Sequence, residues 1–444
     1  MRRLDKRWGE KLGYRMRRPF FPMLLAMVAL GAVSCNGRDR IAVLWSDRPE
    51  FALYAEYFNA AQDQYIIETH YYDSPAQKLK DSGPSEGGLS DLFQMGGRRV
   101  MPDIVVGSWL KSVSTRAFFR PLDKLFKNGS LSANDFYPRL LALGNIDEKQ
   151  YLLPVSFNAP VVILARDNGG QLSNPFTIGF DEMKKQGQGY NAETRGAYTR
   201  MGFSPSWDDD FLFIAATLHD ASFREDDPIA WDSASLERAM RFVYDWICEA
   251  NTGIQAVDDF TFKYLYDPPA QLALSGRILF TCMDSDIFFT LPEGQRDSLD
   301  FRWLAENDTI PLAEENVYFG LAKKGKAPKA AEAFLRWFFS ADTQRMLLER
   351  NRQNRMHETS FGISGGFSAM RPVTEQVFPQ FYQGLLGRIP PADFLSPANI
   401  LPGNWMSLKE RVVLPYLHDR ARRPDHEGVY SLEQRLADWQ RVNR

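Results

Sequence analysis

The run IAVLWSDRPEFALYAEYFNAAQDQYII, residues 41–67, decides the fold class. Its first five residues are apolar without interruption, and Ser46-Asp47-Arg48-Pro49 follows them. A short apolar run closed by turn-forming residues reads as a strand buried on both faces. Phe51, Tyr54, Ala55, Phe58 and Ala61 then recur at spacings of three and four, which puts them on one face of a helix. Tyr65-Ile66-Ile67 reads as a second strand. A strand, a helix and a strand in this order are the seed of a parallel sheet.

The same alternation continues outward. Residues 102–107, 152–155, 161–164, 277–281 and 317–322 are apolar runs of strand length. Residues 232–250 predict a helix with Leu236, Met240, Val243 and Ile247 in one stripe. Pro328 opens another, with Ala330, Phe334, Trp337 and Phe338 inward, and Ser340 is placed to cap the helix after it. Residues 82–97 hold Gly, Ser and Pro and read as a loop. Strands and helices alternating over this length mean α/β layers. A chain of 444 residues exceeds one ordinary core, so two domains are expected.

The formal net charge is −3, but residues 1–34 contribute +6, leaving −9 for the remainder. A mildly acidic body argues against a nucleic-acid partner, because phosphate binding needs a basic surface. The basic residues Arg2, Arg3, Lys6, Arg7, Arg15, Arg17 and Arg18 precede an apolar run over 19–33. That run falls short of the ~20 residues that span a bilayer. It ends in Leu30-Gly31-Ala32-Val33-Ser34-Cys35, which resembles a lipobox. Residues 1–34 are therefore expected to be a lipoprotein signal peptide, Cys35 the lipidated residue and 35–40 a polar tether. An ordinary secretory signal with an unmodified Cys35 is the alternative. Met16 by itself opens a compact signal, so the start stays open between Met1 and Met16. Cys248 and Cys282 either pair in an oxidising compartment or stay free.

Several segments together resemble the family 1 extracellular solute-binding proteins, the group that includes maltose-binding protein. They are the lipid signal followed at once by the 41–45 strand, Pro102-Asp103-Ile104-Val105-Val106, and the stretch from Asp135-Phe136-Tyr137 through Leu152-Leu153-Pro154-Val155-Ser156-Phe157-Asn158. Gly276-Arg277-Ile278-Leu279-Phe280 and Phe319-Gly320-Leu321-Ala322, with the helix after it, complete the pattern. The resemblance implies a two-lobed periplasmic-binding-protein fold of type II, with ligand in a cleft between lobes. It implies an N-terminal lobe of 41–157 and 303–318 and a C-terminal lobe of 158–302 and 319–444. Crossings are expected near residues 157–161, 301–303 and 317–319. The implied activity is capture of a small polar solute, a mono- or oligosaccharide, by hinged closure and delivery to ABC permease subunits. A lipid-anchored, extracytoplasmic monomer is expected.

In open α/β sheets the loops after strand C-termini line the ligand crevice. That rule selects Trp45, Ser46 and Asp47, then Ser108 and Trp109, then Asp284 and Asp286. Phe157 and Asn158 stand at the first expected crossing. By the resemblance, Trp207 and Asp208 occupy a contact region, and Trp405 lies in a Pro/Gly loop. Aromatic faces suit the apolar patches of sugar rings, and carboxylates and amides take directional hydroxyl bonds. Trp45 and Trp109 are equally consistent with core packing, and Asp208-Asp209-Asp210 with a helix cap.

No GxSxG, P-loop, HExxH or EF-hand pattern occurs, and no two of the five histidines stand at ligand spacing. No cofactor, no metal and no enzymatic activity are expected. A glycerol phosphodiester or a polyamine is the second transport reading. A secreted glycosidase or surface adhesin is the alternative from another class.

Overall fold

Asp103 shows how the first sheet is assembled. It is 4% exposed, one carboxylate oxygen accepts the amide of Val43 at 2.9 Å, and the other accepts that of Ala327 at 2.6 Å. A buried carboxylate persists when backbone amides satisfy it, and this one ties three chain segments together.

The computed structural model describes residues 39–71, 94–95, 98–99, 101–423 and 428–442. The expected signal peptide, Cys35, most of the tether and most of the 82–97 loop lie outside the described residues. Among the described residues, no helix is long and apolar enough to cross a membrane.

Ten strands carry the architecture: β1 (Ile41–Ser46), β2 (Ile66–Tyr71), β3 (Ile104–Gly107), β4 (Leu152–Phe157), β5 (Pro160–Ala165), β6 (Thr177–Ile178), β7 (Thr281–Asp284), β8 (Leu299–Leu304), β9 (Val317–Leu321) and β10 (Phe367–Ser368). They form a six-stranded sheet, order β10-β4-β9-β3-β1-β2, and a four-stranded sheet, order β6-β8-β5-β7. β1 is parallel to β2 and β3, as the opening unit predicts, while β9 runs antiparallel to β3 and β4.

Helix α1 (Glu50–Ala61) buries Phe51, Tyr54, Ala55 and Phe58. Phe58 meets Phe334 of the later helix at 5.3 Å in a T-shaped contact. On the second sheet's side stand α2 (Phe180–Tyr190), α3 (Asp209–Leu218) and α4 (Ser233–Asn251). The predicted stripe of α4 is buried, and its Trp246 joins Phe180, Phe203 and Phe211. A Cβ at Gly202 would lie 2.3 Å from the backbone of Gly187 in α2, so only glycine allows that approach. Helices α5 (Pro328–Phe338) and α6 (Ala341–Gln353) return to the first sheet, and Ser340 sits at the N-cap of α6 without a side-chain cap bond. Helix α7 (Leu414–Arg422) packs on α3 and α4.

The strand expected at 277–281 is displaced: the ladder begins at Thr281, and Ile278 makes only an isolated bridge to Met201. The first change of sheet falls between Phe157 and Pro160, within the expected crossing. The other two expectations are corrected. Residues 301–303 lie inside β8 and 317–319 inside β9, and one crossing, 305–316, joins them. β8 runs unbroken because its residues 299–303 pair in register with β5, its charged Asp300 and Arg302 pairing with each other at 2.7 Å, and the polar residues Glu306, Asn307, Asp308, Glu314 and Glu315 fall between the two strands. Residues 319–368 therefore continue with the first sheet, contrary to the expected boundary at 319. The chain returns later, through Leu395-Ser396 paired with Ile310-Pro311, and runs into α7 against α3 and α4.

An aromatic seam joins the sheets. Phe289 stacks on Phe361 at 4.8 Å, and Trp303 of β8 meets Phe367 of β10 at 5.8 Å. Cys248 is exposed, Cys282 is buried and both are free thiols.

Candidate ligand-binding site

Two short residues, Asn158 and Ala159, carry the chain from one sheet to the other, and Asn158 braces the passage. Its amide nitrogen donates to the Gly365 carbonyl at 2.8 Å, and its amide oxygen accepts from Ser285 Oγ at 2.8 Å. Its own carbonyl accepts the Ala313 amide from the second crossing at 2.9 Å. Three segments that are remote in sequence thus converge on one residue.

Beside it lies a cavity of ≈150 Å³. Phe157 and Asn158 line it from the first crossing, Asp284 and Asp286 from the end of β7, and Glu314 and Glu315 from the second crossing. Arg48 after β1, Asp210 of α3, Ser364 and Lys409 complete its polar wall. A smaller space of ≈40 Å³ adjoins it, sharing Asp210, Asp284, Glu314 and Lys409.

The electrostatics are those of crowded carboxyl groups. Burial, then the nearby Asp286 and Glu314, push Asp284 up to about 7. Burial also raises Asp286 and Glu314, the latter against the opposing pull of Lys409. Lys409 Nζ lies 2.7 Å from Asp210 and 3.1 Å from Glu314, so burial, which would lower its affinity for a proton, is outweighed. Lys111 donates to the Glu314 carbonyl at 3.2 Å, and burial pulls it down to about 8.

Four of the predicted residues line this cavity, Ser46, Trp45 and Trp405 are buried in the core, and the rest are partly buried away from its wall. Phe157, Asn158, Asp284 and Asp286 stand together in its wall. The Phe157 ring itself turns away, packed between Tyr137 and Phe367, so its backbone rather than its face is at the cavity. Asp47 pairs with Arg48 at 3.6 Å, accepts from the Ser108 amide, and is pushed by burial up to about 6. Ser46 is buried and accepts the Arg48 amide at 2.9 Å. Trp109 is partly buried, and its indole N–H has no hydrogen-bond partner among the described residues.

Two more indoles turn inward. Trp45 packs with Val105, Leu110 and Tyr318, and Trp405 with Phe213 and Phe223. Trp207 is half-buried and stacks on Phe260 at 5.6 Å. Asp208 caps α3, accepting the Asp210 amide at 2.9 Å, and burial pushes it up to about 6.

Arg48, Glu314, Glu315, Ser364 and Lys409 were not selected from sequence. Arg48 follows directly on a selected triplet. The acidic pair in the interval between two predicted strands was a usable signal for the second crossing. Lys409, brought back by a distant helix, left none. Among the described residues, no group of three or more acidic, His or Cys side chains could hold a metal ion.

No family model matches the sequence, and no curated protein matches it by sequence. Solved structures do match the fold. The chain has the two-lobed fold of the sugar-binding proteins. MalE, the sugar-binding protein of the phytopathogen Xanthomonas citri, superposes with a TM-score of 0.56 at 11% identity, over 91% of this chain and 96% of that one. The maltose-maltodextrin binding protein of the thermoacidophilic bacterium Alicyclobacillus acidocaldarius gives 0.53 at 14% identity, over 91% and 100%. The cyclic α-maltosyl-1,6-maltose binding protein of Arthrobacter globiformis gives 0.54 at 16%, over 91% and 98%. These neighbours are binding proteins rather than enzymes.

Proposed function

We propose that this chain captures a saccharide outside the cytoplasm and delivers it to an ABC importer. The observation that carries the reading is the polar cavity at the two crossings, in a fold whose solved relatives include binding proteins for maltodextrins and mannotriose. Asn158, Asp284, Asp286, Arg48 and Ser364 are the polar groups assigned to the solute, with Trp109 and Trp207 supplying aromatic surface. The lobes close on the bound solute about the two crossings and the 369–394 return. Closure requires that the closed state bind more tightly than the open one. Cys35 carries the lipid that holds the protein at a membrane.

A phosphodiester is disfavoured, because the cavity wall holds five carboxylates against two cations. A glycosidase reading has no support beyond the carboxylates themselves, which any acid-rich wall supplies.

The test is a thermal-shift and calorimetric screen of the full chain in mild detergent, against mono- and oligosaccharides. Binding raises stability by mass action, ~2.7 kcal/mol at a hundredfold excess over Kd. A saccharide that shifts the midpoint and is recovered unhydrolysed supports the reading. Turnover of a chromogenic glycoside, or no shift with any saccharide, refutes it. Loss of uptake of the same sugar on deletion of the chain tests the importer.

A further inference from the structure

The cavity wall carries more negative charge than a neutral sugar calls for. Asp210, Asp284, Asp286, Glu314 and Glu315 face it, and among the described residues the formal cations in the wall are Arg48 and Lys409. Both cations pair elsewhere, Lys409 with Asp210 and Glu314 and Arg48 with Asp47, and they reach Asp284 and Asp286 only through longer-range attraction. Asp284, Asp286 and Glu315 have no ion-pair partner among the described residues. Burial first, and then the like charges of Asp286 and Glu314, push the Asp284 carboxyl up.

A second observation is independent of charge. Ser364 is 1% exposed and stands in the same wall, and its hydroxyl has no hydrogen-bond partner among the described residues. Buried hydroxyls are normally paired, so an unpaired one beside a cavity marks the place of a polar group that arrives from outside.

We propose that the solute of this cleft is an amino-bearing saccharide, its ammonium group held among Asp284, Asp286 and Glu315 and a ring hydroxyl held by Ser364. This rests on the reading of the cleft as a saccharide site and adds the charge of its ligand. A neutral sugar would leave Asp284, Asp286 and Glu315 without a directly paired cation as the lobes close over them. An ammonium group supplies the missing counter-charge, and its hydrogens fit carboxylate acceptors. The cavity of ≈150 Å³ is the scale of one six-membered ring, so the charged ring is expected to be the one most deeply held.

The test uses matched pairs on the full chain by titration calorimetry: N,N′-diacetylchitobiose against its deacetylated form, and glucose against glucosamine, with spermidine as an amine lacking a ring. The proposal expects the free-amine sugar of each pair to bind at least tenfold tighter, and the preference to shrink with added salt. Asp286→Asn and Glu315→Gln should each reduce that preference at least threefold, with the far-UV spectrum and melting cooperativity retained. Equal or tighter binding of the neutral partner overturns the proposal while leaving the saccharide reading intact. Binding of spermidine but of no sugar overturns both. Because Glu315 is exposed, its substitution leaves packing unchanged and keeps the test informative if Asp286→Asn folds poorly.

Discussion

Asp284→Asn should stabilise the ligand-free protein at pH 8 and leave its stability nearly unchanged at pH 4. The carboxyl takes up a proton with an ordinary value of 3.8 in the unfolded chain and about 7 in the fold, burial being the larger cause and Asp286 the next. The native state therefore binds this proton more tightly than the unfolded chain does. By linkage, stability is highest below pH 3.8 and declines as pH rises through the interval up to about 7. Each tenfold change in proton affinity corresponds to ~1.4 kcal/mol, so the full penalty at pH 8 is at most about 4 kcal/mol. Water at the cleft screens the group, and asparagine retains part of the desolvation cost, which leaves about 1–2 kcal/mol. For a chain of this size that is a rise in Tm of roughly 2 °C. The assay is differential scanning fluorimetry of both proteins, ligand-free, at half-unit steps from pH 4 to pH 8. The two curves should converge at the acid end and separate towards pH 8, with the variant above. A variant that melts lower at pH 8 would show that Asp284 is stabilised as a carboxylate, and the same offset at every pH would show that its ionisation does not set the difference; either outcome would fell the account of a crowded wall.

Three further outcomes follow from the packing. Trp405→Ala should cost about 3–5 kcal/mol in urea unfolding, because the indole is buried against Phe213 and Phe223, whereas Trp207→Ala should cost less and weaken saccharide affinity instead. Glu225→Ala removes an acceptor for the Ser112 hydroxyl at 2.6 Å and the Val113 amide at 2.7 Å, contacts that tie the segment after β3 to the second sheet's side. Saccharide Kd should rise about tenfold in calorimetry, since hydrogen bonds to a charged group contribute ~1.5–3 kcal/mol. Gly202→Ala should give little soluble protein, and a limited-proteolysis time course should show faster cleavage, because the new methyl group meets backbone of α2.

Much of the fold was legible before any coordinates. The run at 41–67 folds as a parallel strand–helix–strand unit, and the stripe Leu236, Met240, Val243, Ile247 is the buried face of α4. Periodicity works there because a single face decides each element. The tryptophans were not legible in the same way: an indole after a strand end packs inward or outward according to what covers it. Trp45 turned into the core and Trp109 remained at its edge, although both follow the same strand-end rule.

The sequence alone determined the α/β class and the strands around 41–46, 104–107, 152–157, 160–165 and 317–321, since apolar period is a local fact, and the resemblance supplied the first crossing. Tertiary structure alone decided which residues share the cavity. Lys409 reaches Asp210 and Glu314 from remote parts of the chain, and the second crossing moved to 305–316 because sheet membership is fixed by which strands hydrogen-bond. Local periodicity records how each residue sits on its own element. Charge balance in a cleft depends on segments meeting across hundreds of residues, and no local pattern encodes that.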